Sequence, residues 1–301
     1  MEQIVINSLV STGIYLLIAL SFTVIYSTIR FFHLAHGAVY TVGAYFAYSV
    51  LYVLGRQELG GIIYRTLPLI VYIIASLVAI MIATSTGVTI DRLVYKPLRK
   101  RKASNLILLL ASFGVFIFIQ NLVAIIYGNQ IMTLRTGQVK AGLHFFGALI
   151  TPIQILIIFS GIFIYVFLFL ITMYSKVGKA MKAVSDDPVT ASTVGIDPEK
   201  IILFAFIIGS ALAGLSGVLI SLETNLEPTM GFNMLLKGII AVIIGGIGSI
   251  RGALLGSLFL GFTENLAVWY MPAGWKDAVV FGIFLVFLIF MPQGILGKKD
   301  N

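Results

Sequence analysis

Residues Pro152–Met173 read PIQILIIFSGIFIYVFLFLITM, a run of 22 residues without one charged side chain. A helix needs about 20 apolar residues to cross a hydrocarbon core of about 30 Å, so this stretch is long enough to span a membrane. Ile4–Tyr26, Leu67–Ile90, Asn105–Tyr127 and Ile201–Leu222 qualify in the same way. The whole chain agrees: 59% of its 301 residues are hydrophobic and only 11% are charged, with mean hydropathy +1.05. A soluble domain of this length needs far more polar surface. None of the runs alternates with the period of two that membrane β-barrel strands require. The expected fold is all-α: a polytopic transmembrane helical bundle of about eight or nine hydrophobic segments, forming a single domain over residues 1–301. Two segments are weak, Phe31–Leu54 and the short Leu235–Ile250, and are candidates for broken or re-entrant helices.

Met1-Glu2-Gln3 carries no basic n-region and no small-residue cleavage site follows, so the first segment is expected to be retained. The chain has no cysteine, which excludes disulfides, thiolate metal sites and cysteine nucleophiles. Its net charge is +8, and in a membrane protein the excess Lys and Arg belongs to cytoplasmic loops rather than to a nucleic-acid site. One basic run comprises Arg92, Lys96, Arg99, Lys100, Arg101 and Lys102; a second comprises Lys176, Lys179, Lys182 and Lys200. Placing both inside brings Arg30, Arg251, Lys298 and Lys299 with them. Arg56, Arg65, Arg135, Lys140, Lys237 and Lys276 are left outside or near it. Fourteen of the 20 cations then face the cytoplasm, with the amino terminus outside and the carboxyl terminus inside.

Small residues recur every four positions at Gly209, Ala213 and Gly217, at Ser210 and Gly214, and at Gly252 and Gly256, spacing that lets helix backbones approach closely. The run Ile244-Gly245-Gly246-Ile247-Gly248-Ser249-Ile250-Arg251-Gly252 is different, because glycines this dense break a helix. Two readings stand side by side: a discontinuous helix beside a central pathway, and a tight cytoplasmic turn joining two spans, which Arg251 favours.

Ser175–Lys200 is the most informative polar stretch. Asp187-Pro188 reads as an N-cap followed by proline at the first helical position, and Gly195 falls where a left-handed residue ends a helix. Asp197-Pro198-Glu199 repeats the start signal for the next span. Gly178–Ser185 forms a further short helix with Lys179 and Lys182 exposed. A rigid, well-capped knob suits docking to a partner that moves it as a body, and the alternative is a helix lying on anionic lipid.

Enzymatic chemistry is missing. Gly178-Lys179 and Gly297-Lys298 lack the upstream spacing of a GxxxxGK[ST] phosphate loop, so ATP must be handled by a partner if transport is ATP-driven. No HExxH, GxSxG or His/carboxylate cluster suggests a metal, a cofactor or a hydrolase, and His33, His36 and His144 stand apart from any nucleophile. Within the apolar segments Glu264 and Lys237 are the clearest ionisable groups, with Gln120, Asn121, Glu223 and Asn265 as polar company. Such groups mark a pathway or pair with each other, although Trp269-Tyr270 also places Glu264 near an interfacial belt.

Phe32-His33-Leu34-Ala35-His36-Gly37, followed by Gly43-Ala44-Tyr45, resembles the NFAHG…GAY signature of permeases from branched-chain amino-acid ABC importers, in the binding-protein-dependent transport permease family. Tyr95-Lys96-Pro97-Leu98-Arg99 resembles that family's RPLR loop, and Gln120-Asn121 matches as well. Gly178–Pro188 with Gly195-Ile196-Asp197 looks like its cytoplasmic coupling segment. Pro228-Thr229-Met230-Gly231, the glycine run and Pro292-Gln293-Gly294 complete the order. His33 and Leu34 stand where Asn and Phe are usual, Arg251 where an uncharged residue is usual and Met291 where Arg is common. The resemblance implies a transport subunit and not an enzyme. It implies as partners a second related permease, two cytoplasmic ATPase subunits and an extracytoplasmic binding protein. Gly178, Lys179, Ala180, Asp186, Asp187, Pro188, Gly195 and Asp197 would couple it to the ATPase. His36, Gly37, Gln120, Asn121, Gly245, Gly246, Gly248 and Glu264 are the expected path residues. Leucine, isoleucine and valine are the implied cargo, with urea or short amides as the alternative. A self-contained secondary transporter or channel is the reading from a different class.

Overall fold

A computed structural model describes residues 1–56, 68–134, 142–145 and 147–297. The described chain runs α1 (Glu2–Ile29), α2 (His36–Arg56), α3 (Pro68–Ile90), a π-helical turn (Asp91–Tyr95), α4 (Lys96–Lys100) and α5 (Asn105–Tyr127). A small antiparallel hairpin, β1 (Leu143–Phe145) with β2 (Ala148–Ile150), precedes α6 (Pro152–Tyr174). Then follow α7 (Lys176–Asp186), α8 (Pro188–Thr193), α9 (Pro198–Glu223), α10 (Met230–Gly245), α11 (Ile250–Tyr270), a 3₁₀ turn (Ala273–Trp275) and α12 (Lys276–Phe290). Among the described residues seven helices are long and apolar enough to cross a membrane, and Met230–Gly245 is a shorter apolar one. The all-α polytopic bundle expected from the sequence is thus what forms. Arg65, Arg135, Lys140, Lys298 and Lys299, used above to orient the chain, lie outside the described residues.

Both weak segments are shifted from their expected bounds. The second helix starts only at His36, so Phe31–Ala35 forms a non-helical turn carrying His33. The short segment forms a helix over Met230–Gly245 rather than from Leu235. It is set in motion just after Pro228, where Met230 and Phe232 donate to Glu227 and Thr229 carbonyls, and it is stopped by Gly246 at φ +110°.

Two compact units emerge, Met1–Arg30, Lys140–Ala205 and Met234–Asn301 in the first, Phe31–Val139 and Phe206–Asn233 in the second. In the first, α1 is the axis: every residue from Thr12 to Ile25 is buried, as expected of a helix apolar all round. Its small and polar residues form the notches against which neighbours close. A Cβ on Gly13 would sit 3.2 Å from the Ile157 side chain, and one on Gly261 would sit 2.8 Å from the Ser8 carbonyl. Asn265 Nδ2 donates to Ser11 Oγ at 2.9 Å.

In the second unit α2, α3 and the outer part of α9 pack through the small residues read from the sequence. A Cβ on Gly214 would meet Ala83 Cβ at 2.7 Å and the Ala79 carbonyl at 3.1 Å, and one on Gly43 would meet Gly214 Cα at 2.8 Å. Gly87 faces Ser210, and Gly217 faces the Tyr40 carbonyl. The small-residue stripe is a packing device, as its spacing implied. The π turn at Asp91–Tyr95 has a cause in Pro97, which has no N–H to give and whose ring crowds the preceding turn.

Candidate coupling site

Ser175–Lys200 folds as the sequence suggested, into two short helices and the start of a long one. Ser175 caps α7, accepting from the Gly178 N–H at 3.0 Å. Met181, Val184 and Ala191 turn inward, whereas Lys179 and Lys182 are exposed. Gly178 is fixed by space: a Cβ there would lie 2.5 Å from the Ile171 carbonyl oxygen, Thr172 Cα and Thr172 carbonyl oxygen, all backbone. Helix α7 is therefore seated directly on the end of α6.

Asp187 accepts from the Val189 N–H at 2.8 Å and from the Thr190 hydroxyl. These bonds, the Thr190 hydroxyl first, hold its carboxyl below the usual aspartate range. Pro188 occupies the first turn of α8. At the other end Gly195, φ +85°, donates to Ser192, while the Ile196 N–H reaches back to the Ala191 carbonyl at 3.1 Å. This is a Schellman closure. Asp197 then accepts from the Glu199 and Lys200 N–H groups at 3.1 and 3.3 Å, and the latter bond is the main reason its carboxyl is also held low. Each of the three helix starts in the segment thus carries a side-chain cap. Its outward face carries two bare apolar side chains, Val189 at 74% and Val194 at 71% exposure.

Arg30, the C-cap of α1, reaches this segment. Its Nε donates to Ser185 Oγ at 2.9 Å and its Nη2 to Asp186 Oδ1 at 2.7 Å. Its own backbone is left-handed, φ 51°, with the N–H on the Tyr26 carbonyl.

The glycine-rich run is a turn between two helices, not an interruption within one. Gly246 and Gly248 take positive φ, and Ser249 caps α11 by accepting from the Gly252 N–H at 3.0 Å. Gly245 and Gly252 face one another, and Gly256 faces the Ala241 carbonyl, at separations only glycine permits. The chain end completes the site: Ile295 and Leu296 donate to the last α10 carbonyls, Ile244 and Gly245, at 2.8 and 2.9 Å. Sequence reading missed this pairing, although Pro292-Gln293-Gly294 marks a turn. Arg251 lies over the Phe169 ring, 5.0 Å from its centroid.

Glu264 is fully buried in the first unit. Its Oε1 takes Lys237 at 3.1 Å and Lys276 at 2.7 Å, and its Oε2 takes the Tyr15 hydroxyl. Asp277 also pairs with Lys237, at 2.9 Å. Lys276 and Tyr15 were invisible as partners in the sequence, one reading as a loop cation and the other as one aromatic among many.

In the second unit His33 and His36 are buried side by side, ring centroids 5.6 Å apart. His33 Nδ1 meets the Tyr95 hydroxyl at 2.8 Å, and the Ala35 N–H donates to Ser112 Oγ at 2.9 Å. Buried Asp91 is neutralised by Arg99 at 2.7 Å. In the Tyr95–Arg99 stretch, then, buried Tyr95 bonds a histidine, exposed Pro97 makes the π turn and half-buried Arg99 balances a carboxylate. Gly37 lies against the start of α10, facing Gly231. Gln120 and Asn121 are elsewhere, eight residues or about 12 Å along α5 from Ser112. Asn121 is exposed and donates back to Ile117 at 2.8 Å. The expected path residues are therefore divided: His36, Gly37, Gln120 and Asn121 in one unit, Gly245, Gly246, Gly248 and Glu264 in the other. Among the described residues no group of three or more His, Cys, Asp or Glu is placed to hold a metal ion.

The chain is similar to known transport permeases. The family described as branched-chain amino acid transport system, permease component, matches residues 4–288. The high-affinity branched-chain amino acid transport system permease protein LivH of Escherichia coli (strain K12) is 34% identical over 306 residues, covering 99% of this chain and 96% of the relative. BraD of Pseudomonas aeruginosa, named for the same kind of system, is 34% identical over 304 residues, with the same 99% and 96% coverage. A probable branched-chain amino acid transport permease of Methanocaldococcus jannaschii is 28% identical over 98% of this chain and 92% of its own. No solved structure matches.

Proposed function

The chain belongs to the branched-chain amino acid transport permease family, and on that premise we propose that it carries leucine, isoleucine and valine across the cytoplasmic membrane as one subunit of an ATP-driven importer. The whole chain acts as one permease domain, with residues 175–200 as its cytoplasmic docking segment. A second, related permease lies beside it, two ATPase subunits dock below, and a binding protein delivers cargo from outside. Under this reading the amino terminus is outside and the carboxyl terminus inside, so that the cations of α4 and α7 face the cytoplasm.

The observation that carries the reading is the coupling segment. It is capped at every end, wedged on α6 at Gly178 and bare at Val189 and Val194. A lipid-surface helix needs an apolar face towards the membrane, and here the apolar face of α7 is already used against the protein. Gly178, Lys179, Ala180, Asp186, Asp187, Pro188, Gly195 and Asp197 form or brace the docking knob. ATP binding closes the ATPase pair, which moves this stiff knob as a body and switches the bundle between outward- and inward-open states. His36, Gly37, Gln120, Asn121, Gly245, Gly246, Gly248 and Glu264 remain our assignment for the path. Selection of the cargo then rests on the binding protein.

Reconstitution with its ATPase and binding-protein partners tests the assignment. ATP-dependent uptake of labelled leucine, competed by isoleucine and valine but not by urea, is expected. Uptake without ATP, driven by an ion gradient alone, would refute it.

A further inference from the structure

We infer that Arg30 is the positioning residue that ties the coupling helix to the buried axis helix α1, so that movement of the docking knob is passed into the core of its unit. The inference rests on the docking role of residues 175–200. Three observations meet at this residue. Its backbone is left-handed, φ 51°, at a helix C-cap, a place that glycine fills without strain and arginine does not. From this cap the side chain extends to a second helix. What it reaches is the end of α7: Nε on Ser185 Oγ at 2.9 Å and Nη2 on Asp186 Oδ1 at 2.7 Å. Finally, the helix it closes is buried on all sides from Thr12 to Ile25, so α1 cannot shift without its neighbours shifting too.

The fork geometry of the guanidinium matters. Two donors set in one plane bond both adjacent residues of α7, in a pair open to solvent with side chains 57% and 62% exposed, and so orient it in a way that a single ammonium does not. The other end of α7 is already fixed, by Ser175 and by the Gly178 seat on α6. Arg30 supplies the second attachment point. Between the two ends Met181 and Val184 are buried against the protein, and Arg30 adds the charged tie from α1 to the far end.

Arg30→Gly separates this role from simple stability, because glycine relieves the left-handed strain while removing the side chain. The complete complex is reconstituted with its ATPase and binding-protein partners, and four quantities are read: ATPase co-purification, thermal midpoint, binding-protein-stimulated ATP hydrolysis and uptake per ATP. Arg30→Gly is expected to retain the ATPase and to keep or raise the midpoint, yet to lose at least fivefold in uptake per ATP. Arg30→Lys, which keeps one charged donor near Asp186, should retain more uptake than Arg30→Gly. Wild-type uptake per ATP in Arg30→Gly overturns the inference. So does a midpoint that falls in step with uptake, which makes Arg30 a stability residue, or loss of the ATPase from Arg30→Gly, which makes it part of the docking face. A wild-type chain that captures no ATPase overturns the docking reading itself, a failure visible before any variant is made.

Discussion

Gly178→Ala is the smallest change that should uncouple this permease. The added methyl would lie 2.5 Å from three backbone atoms of Ile171 and Thr172, where ordinary contact begins at 3.4 Å. Backbone cannot rotate aside as a side chain can, so α7 must lift from the end of α6 by about 0.9 Å, the difference between those separations. Overpacking of this kind costs about 1–3 kcal/mol. If the strain is released by unseating α7, the ratio of seated to unseated helix falls by about 5- to 150-fold. Alanine itself favours helix, so intrinsic propensity works against the loss and cannot be its cause. In proteoliposomes holding the whole importer, uptake per ATP should drop several-fold while the bundle keeps its thermal midpoint to within a few degrees. Gly195→Asn is the matched control: nothing lies within 4 Å of Gly195, only its φ of +85° is demanding, and asparagine tolerates that conformation. Wild-type coupling in Gly178→Ala would show that close seating on α6 is not what transmits the motion.

Removing the Glu264 carboxylate should destabilise the first unit. Glu264→Ala leaves Lys237 and Lys276 facing each other, a loss of about 3 kcal/mol, at the low end for a broken buried pair because Asp277 stays beside Lys237. A thermal-shift midpoint in detergent unchanged from wild type would contradict this. Gly214→Leu should cost about 1–3 kcal/mol by overpacking against Ala79 and Ala83; Gly114→Ala, with open space around it, should be neutral or stabilising by the same assay. The caps at Asp187 and Asp197 have a pH signature. Their folded carboxyls titrate below the ordinary value of 3.8. Their contribution is therefore fully present above that value and is lost as pH falls through the lower folded value. Amide exchange at Val189 and Glu199 should accordingly be flat in protection from pH 7 down to about 5, and protection lost near neutrality would be inconsistent with the caps.

What the sequence could reveal depended on how local the cause was. A span is a local property, about 20 apolar residues in a row, and Asn105–Tyr127 is found with the bounds it has in the fold. Caps are local too, which is why Asp187-Pro188, Gly195 and Asp197-Pro198 were legible. Apolar helices, by contrast, look alike in one dimension. Nothing in the composition of α1 announced it as the axis, beyond the cluster Ser8, Ser11, Thr12 and Gly13 that other helices close upon. Long-range partners were equally hidden: the chain end that satisfies Ile244 and Gly245 lies some fifty residues away, and the cation nearest Glu264 is the first residue of α12. The glycine run admitted two readings because the same residues permit a break and a turn. Ser249 decided for the turn by capping the next helix.

The docking we propose depends most directly on the exposed face of residues 175–200. The chain contains no cysteine, so Val189→Cys or Val194→Cys places a single thiol at one of the two most exposed apolar positions of the proposed docking knob. Cross-linking in native membranes should join each thiol to an ATPase subunit, in a yield that changes on adding ATP. A thiol at Val189 that joins no ATPase, and reacts with a membrane-impermeant reagent from outside the cell, would contradict both the docking and the orientation.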